Sequence, residues 1–134
     1  MLDKLFAPTV EVSAHCDLPC GVYDPAQARI EAESVKAIIE KVAGNDDPDF
    51  RTRAVLIKEQ RSELVKHHLW VLWTDYFKPP HFEKYPQLHT LFNEATKLAG
   101  GGGGTKAVMD ADVADQLLAK IDEIAEIFWE TKKA

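Results

Sequence analysis

DADVADQLLAKIDEIAEIFWETK, residues 110–132, is the stretch whose reading decides the fold. Val113, Leu117, Ile121, Ile124 and Phe128 recur at intervals of three and four residues, which lines them up on one face of an α-helix. No other segment carries so clean a stripe. A helix with one apolar face has to bury it against other elements.

Those other elements lie upstream. Residues 100–104 are five consecutive glycines, read as a flexible linker. Before them, a helix is predicted over residues 82–98, with Leu88, Leu91, Phe92 and Ala95 on one side and Pro86 a candidate for its true first turn. Lys78-Pro79-Pro80-His81 breaks the chain ahead of it. A long helix is predicted over residues 48–77. Its stripe is Phe50, Ala54, Ile57, Leu64 and Leu72, with Arg61 and His68 on the same row, and Trp70, Trp73 and Tyr76 widen the contact surface. Gly44 and the turn Asn45-Asp46-Asp47-Pro48 separate it from a first helix over residues 25–43, which Asp24-Pro25 starts. Ile30, Ala37, Ile38 and Val42 carry much of that helix's apolar face. Four amphipathic helices on short loops predict an all-α protein, an antiparallel up-down four-helix bundle with no sheet.

Composition agrees and excludes several classes. A chain of 134 residues fits one domain. Hydrophobic content of 46% and charged content of 28% suit a globular protein. Net charge is −6 with acid and base interleaved, so a basic footprint for nucleic acid is absent. There is no basic amphipathic helix for a membrane surface, and no apolar run near the roughly 18 residues of a membrane span.

The bundle does not explain HCDLPCGVYDP, residues 15–25, which holds both cysteines of the chain, Cys16 and Cys20, beside His15. The spacing alone leaves two readings open. One is a small disulfide loop, which gives little stabilisation. The other is a metal site, although zinc would want two further side-chain ligands and none is suitably spaced. Residues 1–14 end in the small residues Ser13 and Ala14, like a cleavage site, but Asp3, Lys4, Pro8 and Glu11 interrupt any secretory apolar core. They read as a leader that does not direct export, or as a tail that is never cut. With no export signal visible, the expected location is the cytoplasm.

Cleavage between Ala14 and His15 would change the chemistry. The His15 α-amine, the Cys16 amide and the Cys16 thiolate could grip one metal in fused chelate rings, and Cys20 could return a second thiolate. Two nitrogens and two sulfurs in a plane, with the His15 imidazole approaching axially, suit Ni(II) or Cu(II). Thiolates tend to reduce Cu(II), so nickel is the better fit.

HCDLPCGVYDPAQARIEAESVKA resembles the start of mature nickel superoxide dismutases. The likeness continues through AGNDDP, IKEQRSELVKHH, WTDYFKPPHFEKYP and IFWETKKA. It covers residues 15–134, less closely at the five glycines. The resemblance implies disproportionation of superoxide to oxygen and hydrogen peroxide by Ni(III)/Ni(II) cycling. It implies one nickel per subunit on the His15 amine and imidazole, the Cys16 amide and thiolate, and the Cys20 thiolate, with the imidazole leaving in Ni(II). It divides the chain into a leader (1–14), a nickel hook (15–24) and a bundle (25–134). Pro19 and Gly21 shape the hook, and Tyr23 and Tyr76 match the family's pocket tyrosines, although core aromatics would read the same way. Glu31 and Arg61 match a pair behind the His15 imidazole, although a plain bundle ion pair would look alike. Asp17 and Lys78 match residues at the pocket mouth. The family further implies a homohexamer and a maturation protease, with superoxide as the substrate and no nucleic acid or membrane as partner. A nickel store or sensor with the same ligands is the alternative to an enzyme, and a helical interaction module with a Cys16–Cys20 disulfide is a third reading.

Overall fold

The computed structural model describes residues 20–133, and every regular element among them is helical. α1 (Ala26–Ala43) starts at Asp24-Pro25, where the Asp24 carboxylate accepts the Ala26 N–H at 2.8 Å. α2 (Pro48–Val71) is capped by Asp47, which accepts the Asp49 N–H at 3.1 Å, with Pro48 opening the helix.

The predicted helix over 48–77 does not stay α-helical to its end. It widens into a π-helical turn, Leu72–Tyr76, closed by the Phe77 N–H on the Leu72 carbonyl at 2.9 Å. Lys78 is extended, the conformation favoured before a proline. The single helix predicted over 82–98 is in fact two, α3 (Pro79–Lys84) and α4 (Leu88–Leu98). Pro86 lacks an N–H and cannot continue the first, so the chain restarts after it. α5 (Ala111–Lys133) completes the chain.

α1 packs on α2 and α5, and α4 packs on α5 and α2. Those four helices close the predicted bundle, with α3 a short link at one end. Leu117, Ile121, Ile124 and Phe128 of the deciding stripe are buried, and Val113 is half-buried. They meet Leu88, Leu91 and Phe92 of α4 and Val65 and Leu69 of α2.

Two predicted faces are displaced. α1 buries Ala28, Ala32, Val35, Ile39 and Val42, while Ile30 is 59% exposed and Ala37 is also outside. The contact row opens on two alanines, Ala28 and Ala32, and shares only Val42 with the predicted face, so the large apolar Ile30 is a poor guide to where the row begins. On α2 the buried row is Ala54, Lys58, Ser62, Val65, Leu69 and Leu72. It lies one position on from Ile57, Arg61, Leu64 and His68, because a lysine and a serine occupy core positions.

Lys58 is 2% exposed. Its ammonium donates to the carbonyls of Thr105, Lys106 (3.0 Å) and Val108 (3.0 Å). Ser62 Oγ lies 2.8 Å from the buried Thr105 hydroxyl. Burial pulls the Lys58 pKa below the ordinary lysine value, and nearby Glu59 draws it partway back. The five-glycine segment is therefore not a free linker. Gly103 takes φ +89°, and a Cβ on buried Gly104 would collide with the carbonyls of Lys97, Leu98 and Gly100.

Lys58→Met leaves one buried and two part-buried carbonyls without their donor. It is expected to cost about 3 kcal/mol, read as a lower urea midpoint; an unchanged midpoint would contradict this role.

Candidate metal centre

The start of α1, the π-turn of α2 and the last turn of α5 meet at one end of the bundle. Gly21 turns the chain there with φ +74°, a left-handed conformation that glycine adopts without a Cβ clash. The Val22 N–H donates to the Cys20 sulfur at 3.4 Å. Gly21 and Tyr23 line a cavity of about 370 Å³ with Asp75 and Tyr76 from the π-turn, Lys78 and His81 around the start of α3, and Lys132 from α5.

Tyr76 is the centre of that cavity's wall. Its ring lies 5.7 Å from the Tyr23 ring and 4.3 Å from Phe128, and stacks on His81 at 5.8 Å and 11°. The Lys132 ammonium sits 4.9 Å from the centre of the same ring, within cation–π range. The phenolic oxygen lies 2.6 Å from Thr131 Oγ1. The backbone N–H of Lys78 donates to His81 Nδ1 at 3.1 Å, so a neutral His81 carries its proton on Nε2.

The Arg61 guanidinium holds Glu31, with Nη1 at 3.2 and 3.1 Å from the two carboxylate oxygens. The pairing implied by the family resemblance is present. The Glu31 side chain is only 16% exposed and Arg61 39%. Neither lines the tyrosine cavity. Gly21, Tyr23, Tyr76 and Lys78 thus come together, with Cys20 next to them in the chain, and Glu31–Arg61 stands apart. Ala14, His15, Cys16, Asp17 and Pro19 lie outside the described residues.

Asp75, His81, Thr131 and Lys132 escaped the sequence reading. His81 stood in a helix-breaking run, and Thr131-Lys132 look like the polar end of an amphipathic helix. For His81, Thr131 and Lys132 the signal is proximity to Tyr76, which only the fold supplies, whereas Asp75 directly precedes Tyr76 in the chain.

Among the described residues, no group of three His, Cys, Asp or Glu could hold a metal ion. The donor that is described does suit nickel. Cys20 is exposed, its sulfur accepts the Val22 N–H and lies 4.0 Å from the Val22 carbonyl, and a cysteine sulfur is a soft metal donor.

Comparison with known proteins defines the class first. A family model described as nickel-containing superoxide dismutase matches residues 10–132, which makes the class a helical-bundle metalloenzyme. The chain belongs to the nickel-containing superoxide dismutase family. It is 66% identical to the superoxide dismutase [Ni] of Streptomyces coelicolor and 67% identical to that of Streptomyces seoulensis, over the full length of each chain. A solved native nickel superoxide dismutase superposes with a TM-score of 0.85 at 65% identity, covering 90% of this chain and 100% of that one. No helix among the described residues is long and apolar enough to cross a membrane.

Removing the arginine from the half-buried pair isolates what it does for the fold. Arg61→Met is expected to lower stability by about 1 kcal/mol, since the guanidinium is partly solvated. The Glu31→Gln/Arg61→Met double variant should lose less than the two single losses combined in urea unfolding, and additive losses would show that the pair is not coupled.

Proposed function

We propose that this chain disproportionates superoxide at a nickel hook made by cutting between Ala14 and His15. On this reading residues 1–14 are the leader, 15–24 the hook and 25–134 the supporting bundle. The cut frees the His15 α-amine. The ligands are then that amine and the His15 imidazole, the Cys16 amide and thiolate, and the Cys20 thiolate, one nickel per chain.

The observation that carries the reading is the seating of Cys20. Its sulfur takes the Val22 N–H, and the next residue, Gly21, opens onto the tyrosine cavity. The coverage figures support the cut. The solved relative is spanned in full by 90% of this chain, the share left once residues 1–14 are gone, whereas the curated relatives match over the whole length.

Bound there, nickel supplies a one-electron Ni(III)/Ni(II) couple. The protein's residues do the rest. Lys78 and Lys132 set two positive charges against Asp75 at the cavity, and neither lysine forms an ion pair among the described residues. That local field draws in a small anion despite the acidic whole. Tyr23 and Tyr76 narrow the way in. Pro19 and Gly21 hold the hook's turn, and Asp17 stands at its mouth. Glu31, anchored by Arg61, steadies the His15 imidazole, as carboxylates commonly do for metal-bound histidines. Two superoxide ions and two protons give one oxygen and one hydrogen peroxide.

A maturation protease makes the cut, and the chain works in the cytoplasm as a homohexamer. Trp70 and Trp73, 43% and 40% exposed, offer an apolar surface compatible with burial between subunits.

Superoxide consumption by the cut protein tests the reading. Cys16→Ser and Cys20→Ser are each expected to lose more than about 99% of it, because a hydroxyl is a poor nickel donor. Full activity in Cys16→Ser would overturn the ligand set. Nickel-loaded, correctly cut protein that consumes no superoxide would favour a store or sensor. Lys78→Gln is expected to slow the reaction severalfold at low salt, with the gap closing as ionic strength rises.

A further inference from the structure

We propose that Thr131, on the last turn of α5, sets the direction of the Tyr76 O–H and thereby weakens the cavity's hold on small anions. The inference rests on the function proposed above. Thr131 is a positioning residue on this account, since it acts through Tyr76.

The argument is a count of hydrogens. Thr131 Oγ1 donates to the Phe128 carbonyl at 2.6 Å, and it lies 2.6 Å from the Tyr76 oxygen. A carbonyl oxygen can only accept, and a threonine hydroxyl has one hydrogen. That hydrogen is committed to Phe128. The hydrogen between the two hydroxyls must then come from Tyr76. Phe128 is itself fixed, fully buried in the core and 4.3 Å from the Tyr76 ring. The chain Tyr76 to Thr131 to Phe128 therefore runs in one direction only.

The consequence falls on the cavity. With its hydrogen turned to α5, Tyr76 presents only lone pairs to a ligand beside it. An anion gains nothing from lone pairs. Lys78 and Lys132 still attract it through their field, but Tyr76 does not fasten it. For an enzyme whose substrate is a transient anion, that arrangement keeps unreactive anions from lodging. Thr131→Val keeps the shape of the side chain and removes the acceptor. The Tyr76 O–H is then released to turn toward the cavity and donate to an anion.

Azide is the probe, with affinity measured by calorimetry on cut, nickel-loaded protein and superoxide consumption measured separately. Thr131→Val is expected to bind azide roughly tenfold more tightly than the wild type, the size of one added hydrogen bond to a charged group. Thr131→Ser restores the acceptor and should return the wild-type affinity. In the Tyr76→Phe background, Thr131→Val should change nothing. Equal azide affinity in the wild type and Thr131→Val overturns the proposal, as does a tightening that persists without the Tyr76 hydroxyl. A wild type that consumes no superoxide yet shows the full azide pattern faults the function proposed above and leaves the hydroxyl relay standing.

Discussion

A buried ammonium organises this bundle. Lys58 sits at a core position of α2 and ties down three carbonyls of the connection between α4 and α5. That connection is the longest in the described chain, and without the tie the buried Thr105 carbonyl and the part-buried Lys106 and Val108 carbonyls would lose their donor. Fixing it fixes the register of α5. Leu117, Ile121 and Ile124 then fill the core, and the last turn of α5 arrives beside Tyr76 at the opposite end. A polar clasp at one end thus positions chemistry at the other.

The functional end has its own constraint. The proline pair after Lys78 forbids α2 from continuing, and the π-turn lies just before it. Tyr76 is the last residue of that turn. It is packed by Phe77 and Phe128, stacked on His81 and covered by Lys132. Four side chains, from Phe77, α3 and α5, hold one ring in the wall of the cavity.

Much of this was legible in the sequence, and the failures share a cause. The α5 stripe and Asp24-Pro25 follow local rules, and both are found. Residues 15–25 stood out because a histidine and two thiols have no place in an amphipathic bundle, and a resemblance to the family gave them meaning. Lys58 was passed over because a lysine at a helical core position reads as solvated. Its partners are backbone atoms some fifty residues away, which carry no sequence signature. The five glycines read as a linker for the same reason. Ala28 and Ala32 were missed because close packing favours small residues over strongly apolar ones. Thr131 and Lys132 owe their roles to Tyr76, and nothing local connects them to it.

The central claim is that the site exists only after the chain is cut at His15. Intact mass and metal analysis of protein purified from its native cells tests that most directly. The account predicts a chain beginning at His15 with one nickel bound. A chain that still begins at Met1 and yet carries nickel and consumes superoxide would contradict it, because no His15 amine would then be available.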